Sequence, residues 1–133
     1  MIAEVEQRLR RGREELRASR ALLEAGFPSQ ALSRVYLAGF HAAWAALRAL
    51  GETPHTRTGV VSAFGRRVVV EGGLDHEVGR GLRRLLDDRD YIDDALGEAP
   101  PEETRSAIAD AERLLEATAN WIEGRSVAAQ GSQ

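Results

Sequence analysis

The sequence predicts an all-α protein, an up-and-down bundle of four long helices plus one short helix. Three observations lead there. Apolar residues recur at steps of three and four in five successive stretches, the spacing of one helix face. Glycine and proline separate those stretches where helices would stop and start. The single run with strand character, Val68-Val69-Val70, has no second strand to pair with.

The first helix is expected over Ile2 to Ala25. Ile2, Val5, Leu9, Gly12, Leu16, Ser19 and Leu23 make a narrow stripe, and arginines crowd its other faces. Glu4–Arg8 and Glu6–Arg10 are i,i+4 pairs in the favoured order. Gly26 stops this helix and Pro28 opens the next, so the two should lie antiparallel. Helix two, Pro28 to Leu50, is the most apolar stretch and should be the centre of the fold. Leu32, Val35, Tyr36, Gly39, Ala43, Ala46 and Leu50 form its core stripe. Its opposite face mixes Gln30, Arg34, Leu37, His41, Trp44 and Arg48. That mixture suits a binding surface, and Leu37, His41 and Trp44 are expected at an interface. The polar residues also break the stretch well short of the roughly 20 apolar residues a membrane span needs.

A loop around Pro54 leads to a short helix, Thr58 to Val70, and Gly72-Gly73 turns the chain. Helix four, Asp75 to Leu96, has Asp75 as its N-cap. Its stripe is Val78, Leu82, Leu85, Leu86, Ile92 and Leu96, with Arg89 and Asp93 falling inside it. Charges on an apolar face must satisfy each other or a partner. Pro101 opens the last helix, expected to end near Gly124. The domain is therefore placed at 1–124, with 125–133 as a disordered tail.

At 133 residues the chain suits one domain. It has no cysteine, which excludes disulfides and thiolate chemistry. All 18 basic residues are arginine, which excludes lysine Schiff bases and a P-loop lysine. The net charge of −3 makes the whole molecule no magnet for nucleic acid, although a local basic patch can still serve. The N-terminus has no apolar leader segment, so the expected location is the cytoplasm. The three histidines show no metal-ligand spacing, and the aspartates between Asp87 and Asp94 read as a solvated face. No metal and no cofactor is expected.

Three stretches in order carry a family resemblance: ALSRVYLAGFHAAWAAL (31–47), TRTGVVSAFGRRVVVEGGL (56–74) and LRRLLDDRDYIDD (82–94). Together they resemble the HEPN superfamily of small helical domains, in the branch often found beside minimal nucleotidyltransferases. By position, Ser33, Arg34, Tyr36, Phe40 and His41 fall on the helix-two motif, and Gly59, Val60 and Phe64 on the middle one. Arg89 and Asp93 fall on the last. Leu37 stands where the family's second tyrosine would be, Arg57 where its histidine precedes Ser-Gly, and Asp94 where its last tyrosine would be.

HEPN ribonucleases use an arginine followed four to six residues later by histidine, working across a dimer cleft. Asp94, Ala95 and Leu96 hold no histidine in that window from Arg89. The resemblance thus implies a nucleotide- or RNA-binding module, with Arg34, Tyr36, Arg89 and Asp93 as its site. It implies a homodimer, and a nucleotidyltransferase partner in a toxin–antitoxin-like system. Two alternatives stay open. One is a metal-independent RNA endonuclease drawing on Arg89, Asp93 and His41. The other is a purely structural dimerisation module.

Overall fold

The computed structural model describes residues 2–95 and 97–131. The chain runs α1 (Ala3–Glu24), α2 (Pro28–Ala49), α3 (Arg57–Ala63), a π-helical stretch (Phe64–Val70), α4 (His76–Ala95) and α5 (Pro101–Gly131). Among the described residues there is no strand, and no helix is long and apolar enough to cross a membrane. The all-α bundle is as the apolar periodicity requires, with α2 at its centre, packed on α1, α3, α4 and α5.

The α1–α2 corner follows from three residues. Gly26 takes φ +90°, a conformation glycine adopts without Cβ strain. The amides of Gly26 and Phe27 then donate to the carbonyls of Leu23 and Leu22, closing the end of α1. Pro28 follows at the first turn of α2, where its missing N–H costs no helical bond. Leu32, Val35, Tyr36, Gly39, Ala43 and Ala46 are buried, as their spacing demands. Gly39 is needed for close approach: a Cβ there would lie 3.1–3.2 Å from Leu82, Leu85 and Leu114. Its absence lets α4 and α5 pack against α2.

Thr56 caps α3 by accepting the Gly59 amide at 3.0 Å. The expected single short helix is in fact α-helical and then π-helical from Phe64. The wider winding still buries Phe64, Val68 and Val69, while Val70 is 68% exposed. Asp75 caps α4 as expected, accepting the Glu77 amide at 2.7 Å. The stripe of α4 is buried at Leu82, Leu85, Leu86 and Ile92, but Arg89 is only half-buried and Asp93 exposed. The pair sits at the edge of the apolar face rather than inside it. Leu96 lies outside the described residues.

The last helix does not stop at Gly124. It continues to Gly131, so the boundary placed there falls within a helix and residues 125–131 are helical. One glycine in a helix interior costs only about 1 kcal/mol, and the following Ala128-Ala129-Gln130 favours helix. Residues 132–133 lie outside the described ones.

Candidate functional site

The site grows from two helix faces, of α2 and α4, that meet beside the start of α3. The N-terminal half of α2 presents Ser29, Ser33, Arg34 and Leu37, and the C-terminal half of α4 presents Arg89, Ile92 and Asp93. With Arg57 at the start of α3, these line an open groove of about 560 Å³. Its anchoring is local. Ser29 Oγ accepts the Ala99 amide at 2.8 Å, tying the α4–α5 connection to the start of α2. Thr104 Oγ1 donates to the Pro28 carbonyl at 3.2 Å from the first turn of α5.

Arg89 organises the floor. Its Nε lies 3.2 Å from Asp93 Oδ2, and the other oxygen of Asp93 accepts from Ser33 Oγ at 2.9 Å. The guanidinium of Arg89 sits 5.3 Å from the centre of the Tyr36 ring, within cation–π range. Tyr36 itself is fully buried, and its hydroxyl has no hydrogen-bond partner among the described residues. Burial pushes this phenol above its usual pKa, partly offset by Arg57 and Arg89, with Asp90 reinforcing the rise. Arg34 is engaged sideways, bonding Glu15 of α1 at 2.9 Å. Arg57 has no acid within ion-pair distance among the described residues. Among the described residues the lining sets three guanidinium groups against the one carboxylate of Asp93, but Glu15 holds Arg34 and Asp90 lies 4.0 Å from Arg89, so Arg57 is the guanidinium without an acid partner there.

Of the expected nucleotide or RNA site, Arg34, Arg89 and Asp93 line this one groove, with the Tyr36 ring under Arg89. His41 does not join them. It lines a second groove, between α1 and α2, with Trp44. There the Arg8 guanidinium donates to His41 Nδ1 at 3.1 Å and lies 3.9 Å from the Trp44 ring centre. Burial chiefly, then Arg8, lowers the His41 pKa to about 4, Glu15 opposing and Arg11 adding to the fall. At neutral pH it is therefore a neutral imidazole whose acceptor nitrogen is already used. Leu37, His41 and Trp44 are half-buried and divided between the two grooves. Much of the mixed face of α2 meets α1 of its own chain: Arg34 pairs with Glu15, His41 and Trp44 meet Arg8, and Arg48 pairs with Glu4.

The state of His41 has a measurable consequence. The folded chain binds its proton only near pH 4, whereas the unfolded chain does so near 6.5. The unfolded state holds more protons between those values. The associated stability is thus present above 6.5 and lost as pH falls to 4. For a half-exposed ring, solvent screening reduces this to about 1 kcal/mol. Urea unfolding at pH 7 and pH 4.5 should show a larger loss for the wild type than for His41→Gln, by about that amount.

Sequence reasoning passed over Glu15, Ser29 and the place of Arg57. Glu15 lies three residues after Gly12 and four before Ser19, so its burial is visible in the stripe of α1. Nothing local marks Arg57 as a groove residue. Among the described residues, no group of three or more acids or histidines could hold a metal ion.

The HEPN domain family model matches residues 5–121, most of the chain and every helix described above. The chain belongs to the HEPN domain family. Among relatives, this HEPN chain is 33% identical to a UPF0332 protein of Thermotoga maritima, covering 86% of this chain and 87% of that one. It is 34% identical to a UPF0332 protein of Pyrococcus horikoshii over 65% of this chain and 61% of the other. It is 31% identical to a Methanocaldococcus jannaschii protein named as a candidate toxin, over 77% of each.

Proposed function

We propose that this HEPN protein binds the phosphate groups of single-stranded RNA or a nucleotide in the α2–α4 groove, without cutting the chain. The observation that carries this reading is the convergence of Arg34, Arg57 and Arg89 on one open groove whose single lining acid, among the described residues, is Asp93. Guanidinium forks match phosphate oxygens in geometry and charge. Ser33 offers a hydroxyl beside them, and a phosphate would compete with Asp93 for Arg89. Binding without cleavage follows from the proton chemistry. Cleavage needs a base for the 2′-hydroxyl and an acid for the leaving group, and histidine suits both near neutrality. His41 sits in a different groove of the same chain with its acceptor nitrogen engaged.

The kinship with a relative named as a candidate toxin supports a toxin-like role, and a nucleotidyltransferase partner is proposed from the motif resemblance alone. The experiment is incubation of the purified protein with mixed-sequence RNA, with and without chelator. Retarded, intact RNA is expected. Cleavage in chelator that is lost in Arg89→Ala would favour the endonuclease instead.

A further inference from the structure

Single strands bind through their bases as well as their phosphates, settling bases on aromatic faces or guanidinium planes. The α2–α4 groove offers no aromatic face. None of its lining residues, among the described ones, is aromatic, and the Tyr36 ring under Arg89 is fully buried. A platform stands in the next groove along the same helix. Arg34, Leu37, His41 and Trp44 follow one another at steps of three and four on one side of α2. The first two line the α2–α4 groove and the last two the α1–α2 groove. The two grooves also share a carboxylate, since buried Glu15 pairs with Arg34 at 2.9 Å and with Arg11 at 3.4 Å. From Arg34 to Trp44 the helix advances about 15 Å. A strand spans that distance, and a mononucleotide does not.

In the α1–α2 groove a stack is already built. The Arg8 guanidinium lies 3.9 Å from the centre of the Trp44 ring and donates to His41 Nδ1. Phe40 meets the His41 ring edge-on, with centroids 5.8 Å apart, and so steadies the acceptor. Neutral His41 anchors Arg8 instead of repelling it. Arg8 is half-buried and makes no ion pair among the described residues, and neither does Arg10 in the same lining. Of the two acids there, Glu4 is held by Arg48 at 3.0 Å, which leaves Glu14 against Arg8 and Arg10. A guanidinium backed by an indole and fixed by an imidazole is a preorganised surface for a flat, electron-rich ring.

We infer that a base of the bound single strand stacks on the outer face of Arg8, backed by Trp44, while neighbouring phosphates occupy the α2–α4 groove, a placement that rests on the phosphate site proposed above. The ligand is then a strand rather than a free nucleotide, and the contact tolerates any base, because every base has a π-face.

The test compares a short single-stranded RNA with an abasic strand of the same length, by fluorescence anisotropy and by NMR. The RNA should bind about 10-fold more tightly, the contribution of one stacked base. Trp44→Ala and Arg8→Lys should each abolish that advantage. Lysine keeps the charge but not the plane, so Arg8→Lys should bind the abasic strand as the wild type does. The readout is the ratio of the two affinities, which a general loss of fold does not imitate, and helical circular dichroism checks the fold. RNA should also move the Trp44 indole and Arg8 Nε–Hε signals. The Trp121 indole, which donates to the Gly72 carbonyl away from both grooves, is the control that stays still. Equal affinity for the two strands would overturn the inference. So would movement of Arg57 and Arg89 with Trp44 and Arg8 unmoved, which leaves the phosphate site standing. Movement of Trp44 and Arg8 without Arg57 and Arg89 would instead remove the phosphate site and keep the stack. A Trp44 signal that responds to protein concentration and not to RNA would place a protein contact on this face and overturn the inference.

Discussion

Replacing Arg57 and Arg89 together by alanine should weaken binding of single-stranded RNA by at least about 100-fold at low salt. The two residues reach the α2–α4 groove from different elements, so their loss removes both walls of the charge site. Arg34 alone remains, and it is held by Glu15. Each phosphate contact on a single strand contributes about 0.7 to the log–log salt slope. The double variant should therefore be shallower by about 1.4. Asp93→Asn should move affinity the other way, since it frees Arg89 from a competing carboxylate. Fluorescence anisotropy with a labelled oligonucleotide across a salt series reads all three. An unchanged slope in the double variant would place the phosphates elsewhere. The exposed arginines of α1 (Arg10, Arg13 and Arg17) are the natural second place, along a groove they share with Glu112 and Glu116 of α5.

Tyr36 should separate the core from the site. Truncating it to alanine removes the largest fully buried side chain from the centre of α2, and should cost about 3–5 kcal/mol of stability. It also takes away the ring beneath Arg89, so any folded fraction should bind RNA less well. Tyr36→Phe keeps the ring and removes a buried hydroxyl that has no partner among the described residues. An unsatisfied buried hydroxyl is itself destabilising by about 1–3 kcal/mol, so this variant should equal or exceed the wild type. Urea denaturation measures both. A loss above about 1 kcal/mol in Tyr36→Phe would mean that the hydroxyl is bonded in solution.

The core was legible because burial follows helical period. Leu32, Val35, Tyr36, Gly39 and Ala43 could be assigned by counting, and Gly26 with Pro28 marked the corner. The pairing of Arg89 with Asp93 was legible too, from two charges at i,i+4 beside an apolar stripe. Other features left no such mark. A mixed face on α2 says that something covers it, and α1 of the same chain supplies much of that cover through Glu4, Arg8 and Glu15. A π-helical turn is wound by i→i+5 bonds but still brings i and i+4 to one side, so the spacing of Phe64 and Val68 read as ordinary helix. Arg57 reaches the groove only because the loop after α2 sets α3 over that end of the bundle. That placement is tertiary. The end of α5 was misjudged because Gly124 resembles a stop signal, whereas one glycine is a small penalty against a helix-favouring sequence beyond it.

The most direct measurement is a titration of isotopically labelled protein with a short single-stranded RNA, following the arginine side-chain Nε–Hε signals by NMR. Arg57 and Arg89 should shift most and saturate together, Arg34 should follow, and the RNA should be recovered intact. Saturating shifts confined to Arg10, Arg13 and Arg17, with Arg57 and Arg89 unmoved, would contradict a phosphate site between α2 and α4.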